Sequence, residues 1–297
     1  MPFNIQPSIS WVILTPIEQR IKEKIERIGV PLKDWDIAIN YGIKTGYNEA
    51  FIIDGKKRAE LIAEDPKSDE IIRPILRGRD IKRYDYEFAD LWLIYIPWHF
   101  PLHKDPRIVG ASVTAEKAFK ECYPAIYNHL NQYKDKLLER NKAETGLRYE
   151  WYALQRWGAN YWEDFIRPKI VWKRVGSIIR FTYDETGKFA LDSTCFATGA
   201  DVKPLSAILN SKTGKYLLKD SPKTGTGDLL ISVQAVEPLK LPVLDNRDKL
   251  IFEKFVDQIL ERIMLNMDWT DIEAEIDKHV YKLFEFSQEE IAFIEAQ

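Results

Sequence analysis

Five basic side chains, Arg73, Arg77, Arg79, Lys82 and Arg83, fall within eleven consecutive positions, with Asp80 as the one acid among them. Tyr84 and Tyr86 follow, and then the apolar run LWLIYIP. A guanidinium can bond O6 and N7 of guanine with both arms, a contact worth roughly 1 to 3 kcal/mol of discrimination, or it can neutralise a phosphate. Gly78 lets the backbone approach a neighbour closely or turn with φ above zero. The cluster also reads as scaffold. Asp80 could pair with Arg77 or Arg83, and Arg79 could be buried to tie the loop to the body. Residue types alone leave both readings open.

Three other stretches offer similar chemistry: the loop Lys44-Thr45-Gly46-Tyr47-Asn48, the run LRYEWYALQRWGANYW with Arg148, and WKRVGSIIR with Lys173 and Arg174. Asn can read adenine, while Lys and Arg neutralise phosphate. Trp151, Trp157 and Trp162 read as core aromatics sooner than as a base-stacking surface. In SPKTGTGD, Gly225 and Gly227 beside Lys223 could cradle an anion in a backbone nest, although a polar turn is the simpler reading. The loops are expected to follow or separate strands, so the elements around them decide what they can reach.

Those elements are legible in part. Thr15-Pro16-Ile17-Glu18 is a capping box with Pro at the first helical position, and Ile17, Ile21, Ile25 and Ile28 make one apolar stripe ending at Gly29. WDIAINYG and AFIID read as two strands joined by IKTGYN in a β-hairpin. Residues 56–73 read as helix, LWLIYIP as a strand, and residues 115–141 as one or two helices. From 169 to 196 the pattern is β. VKPLSAILNSKTGKYLLK returns to helix, and LLISV and VEPLKLPVL look like strands. Residues 247–265 form an amphipathic helix, and Thr270 to Glu273 and Ser287 to Glu290 read as further capping boxes. Strand runs and helices without regular βαβ alternation predict an α+β fold: a mixed sheet with flanking helices and a C-terminal helical segment.

The chain has 297 residues and a net charge of −3, unevenly spread. Residues 245–297 carry 14 acids against 6 bases, leaving 37 bases against 32 acids in residues 1–244, a mildly basic body with an acidic tail. That division gives the expected domains, and the asymmetry is compatible with a nucleic-acid partner. No apolar run reaches the roughly 18 residues of a membrane span, and MPFNIQPSIS lacks the form of a leader, so a cytoplasmic location without a membrane partner is expected. Cys122 and Cys195 stand apart, without metal or disulfide spacing. His99 and His103 are separated by Pro101, which spoils a helical ligand pair. There is no GxxxxGK[ST], no GxGxxG after a strand, no HExxH and no GxSxG. Asp164 with Lys169, or Glu64, Asp65 and Lys67, could be pressed into a metal-dependent nuclease, but they read more simply as solvated surface. No residue is assigned to catalysis or to a metal.

GIKTGYNEAFIID, RPILRGRDIKRY, WLI, WYAL, RPKIVWK, ILNSK, LKLPVL and EIDKHVYKLF with SQEEI, taken in order from Trp35 to Ile294, resemble the C-terminal specificity region of TaqI-like adenine methyltransferases and type IIG restriction-modification enzymes. The resemblance implies a target-recognition domain that grips duplex DNA and reads its sequence. A separate methyltransferase domain, in cis or in trans, would then methylate adenine with S-adenosylmethionine. This chain lacks the glycine motif for that cofactor, the Asn-Pro-Pro-Tyr or Asn-Pro-Pro-Phe motif of the methyltransferases, and the nuclease motif of the fused enzymes. No cofactor is therefore expected in it. By family position the loops Lys44 to Asn48 and Arg77 to Arg83 face DNA, with Lys44, Thr45, Tyr47, Asn48, Arg77, Arg79, Lys82, Arg83, Arg148, Lys173, Arg174 and Lys223 as candidate contacts. The rival reading is a protein-interaction adaptor that docks a catalytic subunit without touching DNA.

Overall fold

Thr15 caps the first helix as its sequence requires. Its hydroxyl accepts from the Glu18 N–H at 3.4 Å, and the Glu18 carboxylate accepts from the Thr15 N–H at 2.8 Å. The computed structural model describes residues 14–297, so the segment read for a leader lies outside the described residues. The first half of the chain runs α1 (Pro16–Ile28), β1 (Val30–Pro31), β2 (Ile37–Tyr41), α2 (Asn48–Phe51), β3 (Ile52–Asp54), α3 (Gly55–Glu64), β4 (Ile72–Leu76), β5 (Leu91–Ile94), α4 (Val113–Cys122), α5 (Pro124–Asn131) and α6 (Lys134–Glu139). The second half runs β6 (Lys169–Lys173), β7 (Val175–Gly176), β8 (Phe181–Asp184), β9 (Phe189–Ala190), β10 (Thr194–Gly199), α7 (Val202–Asn210), α8 (Lys212–Leu218), β11 (Leu229–Leu230), α9 (Val233–Val236), β12 (Lys240–Leu241), α10 (Asn246–Met264), α11 (Thr270–Leu283) and α12 (Gln288–Glu295). The fold is α+β.

Two four-stranded sheets organise it, in the orders β3-β5-β4-β9 and β2-β10-β6-β8. The expected hairpin between WDIAINYG and AFIID does not form. β2 pairs antiparallel with β10, Asn40 opposite Phe196, whereas β3 pairs with β5, Ile53 opposite Trp92. The reason lies in what each strand buries: Ile37 and Ile39 of β2 pack on the second core, while Ile43, Phe51 and Ile53 belong to the first. The loop between them crosses from one sheet to the other instead of turning back.

Several expected helices are shorter than their periodicity suggested. The helix over 56–73 ends at Glu64, because Asp65 precedes Pro66 and is held extended (φ −145°, ψ 104°), after which a 3-10 turn leads into β4. Residues 115–141 divide into three helices, with Pro124 starting the second. Ser211 (ψ 167°) separates α7 from α8. LLISV keeps two strand residues before Ser232 starts a helical turn, and VEPLKLPVL keeps only Lys240–Leu241, paired with β1. Thr270 does not cap its helix. Its hydroxyl donates instead to Asp268 Oδ1 at 2.7 Å, and Trp269 takes the cap position. The box at Ser287 does form.

The first core lies around β3-β5-β4-β9 and helices α3 to α6; the second lies between the other sheet, α1 and α7 to α12. Residues 245–297 are built into the second core through Phe252, Val256, Ile276 and Phe284. Their acids meet the basic face of α1: Glu289 holds Arg20 at 2.6 Å, Glu290 holds Lys24 at 2.7 Å and Glu285 holds Arg27 at 2.7 Å. Among the described residues no helix is long and apolar enough to cross a membrane.

Candidate nucleic-acid interface

β4 ends at Leu76, and the next four residues make a tight turn around the Asp80 carboxylate. Asp80 accepts from the Arg77 N–H at 2.8 Å, from Nε at 3.0 Å and from NH2 at 2.7 Å. These bonds raise the pKa of the Arg77 guanidinium and fix it along the turn. Gly78 donates its N–H to Ser193 Oγ at 3.0 Å, and a Cβ there would lie 2.9 Å from Lys173 Cγ and 3.0 Å from the Ser193 carbonyl. Close approach, and not positive φ, is therefore what this glycine supplies. It lets the turn press against the end of β6 and leaves Arg79 exposed, with no hydrogen-bond or ion-pair partner among the described residues.

This contact builds a cleft of ≈ 440 Å³ bounded by Asn48, Glu49 and Ile52, by Arg77, Gly78 and Arg79, and by Leu91, Lys173, Leu191, Asp192 and Ser193. Beyond Gly78, Arg79 and Lys173 a smaller hollow of ≈ 160 Å³ is lined by Ile81, Ser177, Ile178 and Arg180. Arg79 and Lys173 border both hollows. Neither they nor Arg180 have an ion-pair partner among the described residues, although Glu49 also lines the larger cleft. Asp192 is half-buried in the same cleft and likewise makes no side-chain bond.

The loop before α2 is held from behind. A Cβ at Gly42 would stand 2.0 Å from the Leu191 carbonyl oxygen, so only glycine allows the loop to lie against Leu191. Ile43 then receives the Asp192 N–H at 2.8 Å. Lys44 and Arg156 exchange backbone bonds of 3.0 and 2.9 Å, and the Arg156 guanidinium donates to the Gly42 carbonyl at 2.9 Å. Arg140 donates to the carbonyls of Thr45 at 2.7 Å, Trp151 at 2.9 Å and Ala153. Burial pushes the pKa of Arg140 down to about 10, which still leaves it charged at neutral pH. Arg140 and Arg156 are positioning residues that sequence reasoning missed, because nothing in their neighbourhood marks an arginine whose partners are main-chain carbonyls.

The twelve candidates therefore separate by surroundings. Asn48, Arg77, Arg79 and Lys173 line the cleft, and Lys44 is exposed at its edge, next to the bond between Ile43 and Asp192. Thr45 is buried and donates its hydroxyl to Asn48 Oδ1 at 2.6 Å. Tyr47 donates to Glu49 and receives Lys136 Nζ at 3.0 Å. Arg174 joins β10 and β11 through backbone bonds with Ser193 and Ile231, while Lys223 stands exposed in the adjoining hairpin. The others are engaged elsewhere. Lys82 pairs with Glu87 at 3.1 Å, Arg83 with Glu273 of α11 at 2.8 Å and with the Asn210 carbonyl, and Arg148 with Glu144 at 3.1 Å over the Trp98 ring. Sequence reasoning also passed over Asp192, Ser193 and Arg180, although WKRVGSIIR contains the last.

Among the groups considered for catalysis, Asp164 and Lys169 have structural partners. Asp164 accepts from Asn40 at 3.1 Å and Arg167 at 3.2 Å. Lys169 is fully buried, 2.6 Å from Asp184, and also donates to the Phe165 carbonyl at 2.8 Å. The thiols of Cys122 and Cys195 are unlinked, and burial pushes Cys195 up to about 12. Among the described residues no three His, Cys, Asp or Glu side chains gather as a metal group.

Two four-stranded sheets meet at the cleft, and the chain that builds it is a specificity domain of restriction-modification enzymes. Residues 73–239 match the family described as the TaqI-like C-terminal specificity domain, and the chain belongs to that family. It is 24% identical over 257 residues to the type II methyltransferase M.MjaIV of Methanocaldococcus jannaschii, an alignment covering 82% of this chain and 77% of that protein. Its fold is similar to that of the type IIL restriction-modification enzyme MmeI, solved in complex with DNA, with a TM-score of 0.59 and 12% identity. That match covers 91% of this chain but 36% of MmeI, so the chain spans about a third of the larger enzyme.

Proposed function

We propose that this chain reads the sequence of double-stranded DNA for an adenine-specific methyltransferase or a type IIG restriction-modification enzyme. The observation that carries the reading is the composition of the cleft. Arg79 and Lys173 are unpaired cations suited to phosphate, and Asn48, Asp192 and Ser193 between them offer an amide, a carboxylate and a hydroxyl suited to base edges. In this reading residues 1–244 form the recognition body, and the acidic segment 245–297 packs away from DNA, where its carboxylates cannot repel phosphate. The catalytic domain, acting in cis or in trans, would bind S-adenosylmethionine. No residue of this chain is assigned to methyl transfer.

Five cations, Lys44, Arg79, Lys173, Arg180 and Lys223, have no ion-pair partner among the described residues and lie on the cleft or on loops adjoining it. If each neutralises one phosphate, log affinity falls against log salt with a slope of about −4 to −5. Titrating a labelled pool of random duplexes by fluorescence anisotropy, from about 50 to 200 mM salt, tests this. A flat salt response, or no binding at tens of micromolar protein, would overturn the reading.

A further inference from the structure

At the opposite end of β4 from the cleft, a pocket of ≈ 390 Å³ opens between Ile71, Arg73, Tyr95, Pro97, Phe100, His103, Lys104, Trp157 and Trp162, with Glu70 on its rim. Its volume is within the range of ligand pockets, about 300 to 1,000 Å³. Arg73 and Arg77 are four residues apart along the strand, about 13 Å at the rise of an extended chain, so this is a separate site from the cleft.

Aromatic residues in folded proteins usually satisfy their polar ends internally. Among the eight described tryptophans, Trp35, Trp92, Trp98, Trp151 and Trp172 donate their indole N–H to a protein acceptor. Trp157, Trp162 and Trp269 do not, and the first two line this pocket. Trp162 is also 43% exposed, a large apolar ring left facing solvent. Trp157 is held from behind, because Tyr95 donates its hydroxyl to the Trp157 carbonyl at 3.0 Å. The pocket therefore presents flat rings together with two indole N–H groups that bond no protein acceptor among the described residues.

The charge at the mouth selects the sign of the guest. Arg73 is fixed by the carbonyls of Ile72 at 2.9 Å and Glu70 at 2.6 Å, and Lys104 is exposed with no partner among the described residues. The Glu70 carboxylate is occupied by the Tyr123 hydroxyl at 2.8 Å. Desolvation, helped by the Lys104 charge, lowers the pKa of His103, whose ring stacks on Phe100 with centroids 5.5 Å apart. The two cations outnumber the Glu70 carboxylate on the rim, so the mouth carries a net positive charge that favours an anionic guest.

We propose that this pocket binds a nucleotide, with its acceptor-rich ring against Trp157 and Trp162 and its phosphate at Lys104. The guest could be a free mononucleotide or an unpaired nucleotide at the end of a DNA strand; the chemistry is shared and the experiment separates the sources. The inference stands apart from the cleft.

The full chain is titrated with dAMP and with deoxyadenosine by calorimetry, and with blunt duplex and the same duplex bearing a 3′ adenine tail by anisotropy. Losing a stacking ring costs a base-binding site at least ~5-fold, so Trp162→Ala should weaken dAMP or tail binding by that factor. Lys104→Ala should weaken dAMP but not deoxyadenosine, and Arg79→Ala should leave dAMP binding unchanged. Saturable dAMP binding without a gain from the tail assigns the pocket to free nucleotide. A gain from the tail that Trp162→Ala abolishes assigns it to a DNA strand. No saturation by about 10 mM dAMP with no gain from the tail overturns the proposal, as does binding that neither variant changes. Failure of duplex binding alone would count against the cleft and leave this pocket standing.

Discussion

Arg77 and Arg79 are two residues apart and chemically identical, yet the structure gives them opposite duties, and alanine at each should separate them. Arg77→Ala removes both guanidinium bonds to Asp80, a carboxylate only 4% exposed, but keeps the backbone N–H that reaches the same group at 2.8 Å. Breaking a buried pair from one side costs about 3 to 5 kcal/mol. The surviving backbone bond and the partial exposure of the Arg77 side chain reduce that to about 2 to 3 kcal/mol. Arg79→Ala removes an exposed side chain without partners and should change stability by no more than about 0.5 kcal/mol. Its effect belongs to binding. If Arg79 meets a phosphate, the salt slope shrinks by about 0.9; if it meets a guanine, affinity for the preferred site falls by about 1 to 3 kcal/mol with the slope unchanged. Urea unfolding and anisotropy titrations at several salt concentrations, performed on both variants, measure all of these quantities. The reasoning is refuted if Arg79→Ala destabilises the protein as much as Arg77→Ala, or if Arg79→Ala binds duplex like the parent at every salt concentration.

Three further outcomes are expected. Arg140→Ala strips the donor from three main-chain carbonyls, each costing about 1 to 3 kcal/mol when left unpaired, so it should lose about 3 kcal/mol or more and speed hydrogen exchange in residues 44–48; unchanged exchange there would show that the loop is not held from behind. Glu290 feels desolvation, which raises its pKa, but the bonds from Lys24 and Ser287 outweigh it and the net shift is downward. Its stabilising contribution is therefore present above about pH 4.5 and is lost as pH falls through the lowered folded value; Glu290→Gln should flatten the acid limb of thermal stability, and an unaltered limb would contradict the assignment. Asp192 would repel a phosphate, so its place in a DNA cleft suits an exocyclic amino group of cytosine or adenine. Duplexes selected from a random pool by Asp192→Ala should lose preference at one position while the salt slope stays the same, and identical selections would remove Asp192 from base reading.

Two of the three expected capping boxes form. The Thr15 and Ser287 boxes satisfy their own backbone donors within one turn, so four residues suffice to recognise them. The pairing of β2 with β10 involves residues far apart in sequence, and no local pattern distinguishes it from a hairpin. The same limit applies to the basic cluster. Asp80 beside Arg77 could be suspected from spacing, but Glu273, which occupies Arg83, comes from α11 near the other end of the chain. Which arginine is left over for a ligand depends on that distant partner. Thr270 shows a closer failure: Asp268, two residues upstream, takes the hydroxyl that the box required.

The parallel pairing of β9 with β4, Ile75 opposite Phe189 and Leu76 opposite Ala190, also matters while the protein is being made. During synthesis β4 leaves the ribosome well before the segment that covers its outer edge. Until then its backbone donors and acceptors stand open to any extended chain nearby, the usual starting point for sheet-to-sheet aggregation. A ribosome stalled before residue 189 would therefore hold a sticky intermediate, and so would a polypeptide truncated there. Expression trials should find that deleting Phe189 and Ala190 from the full chain lowers its solubility.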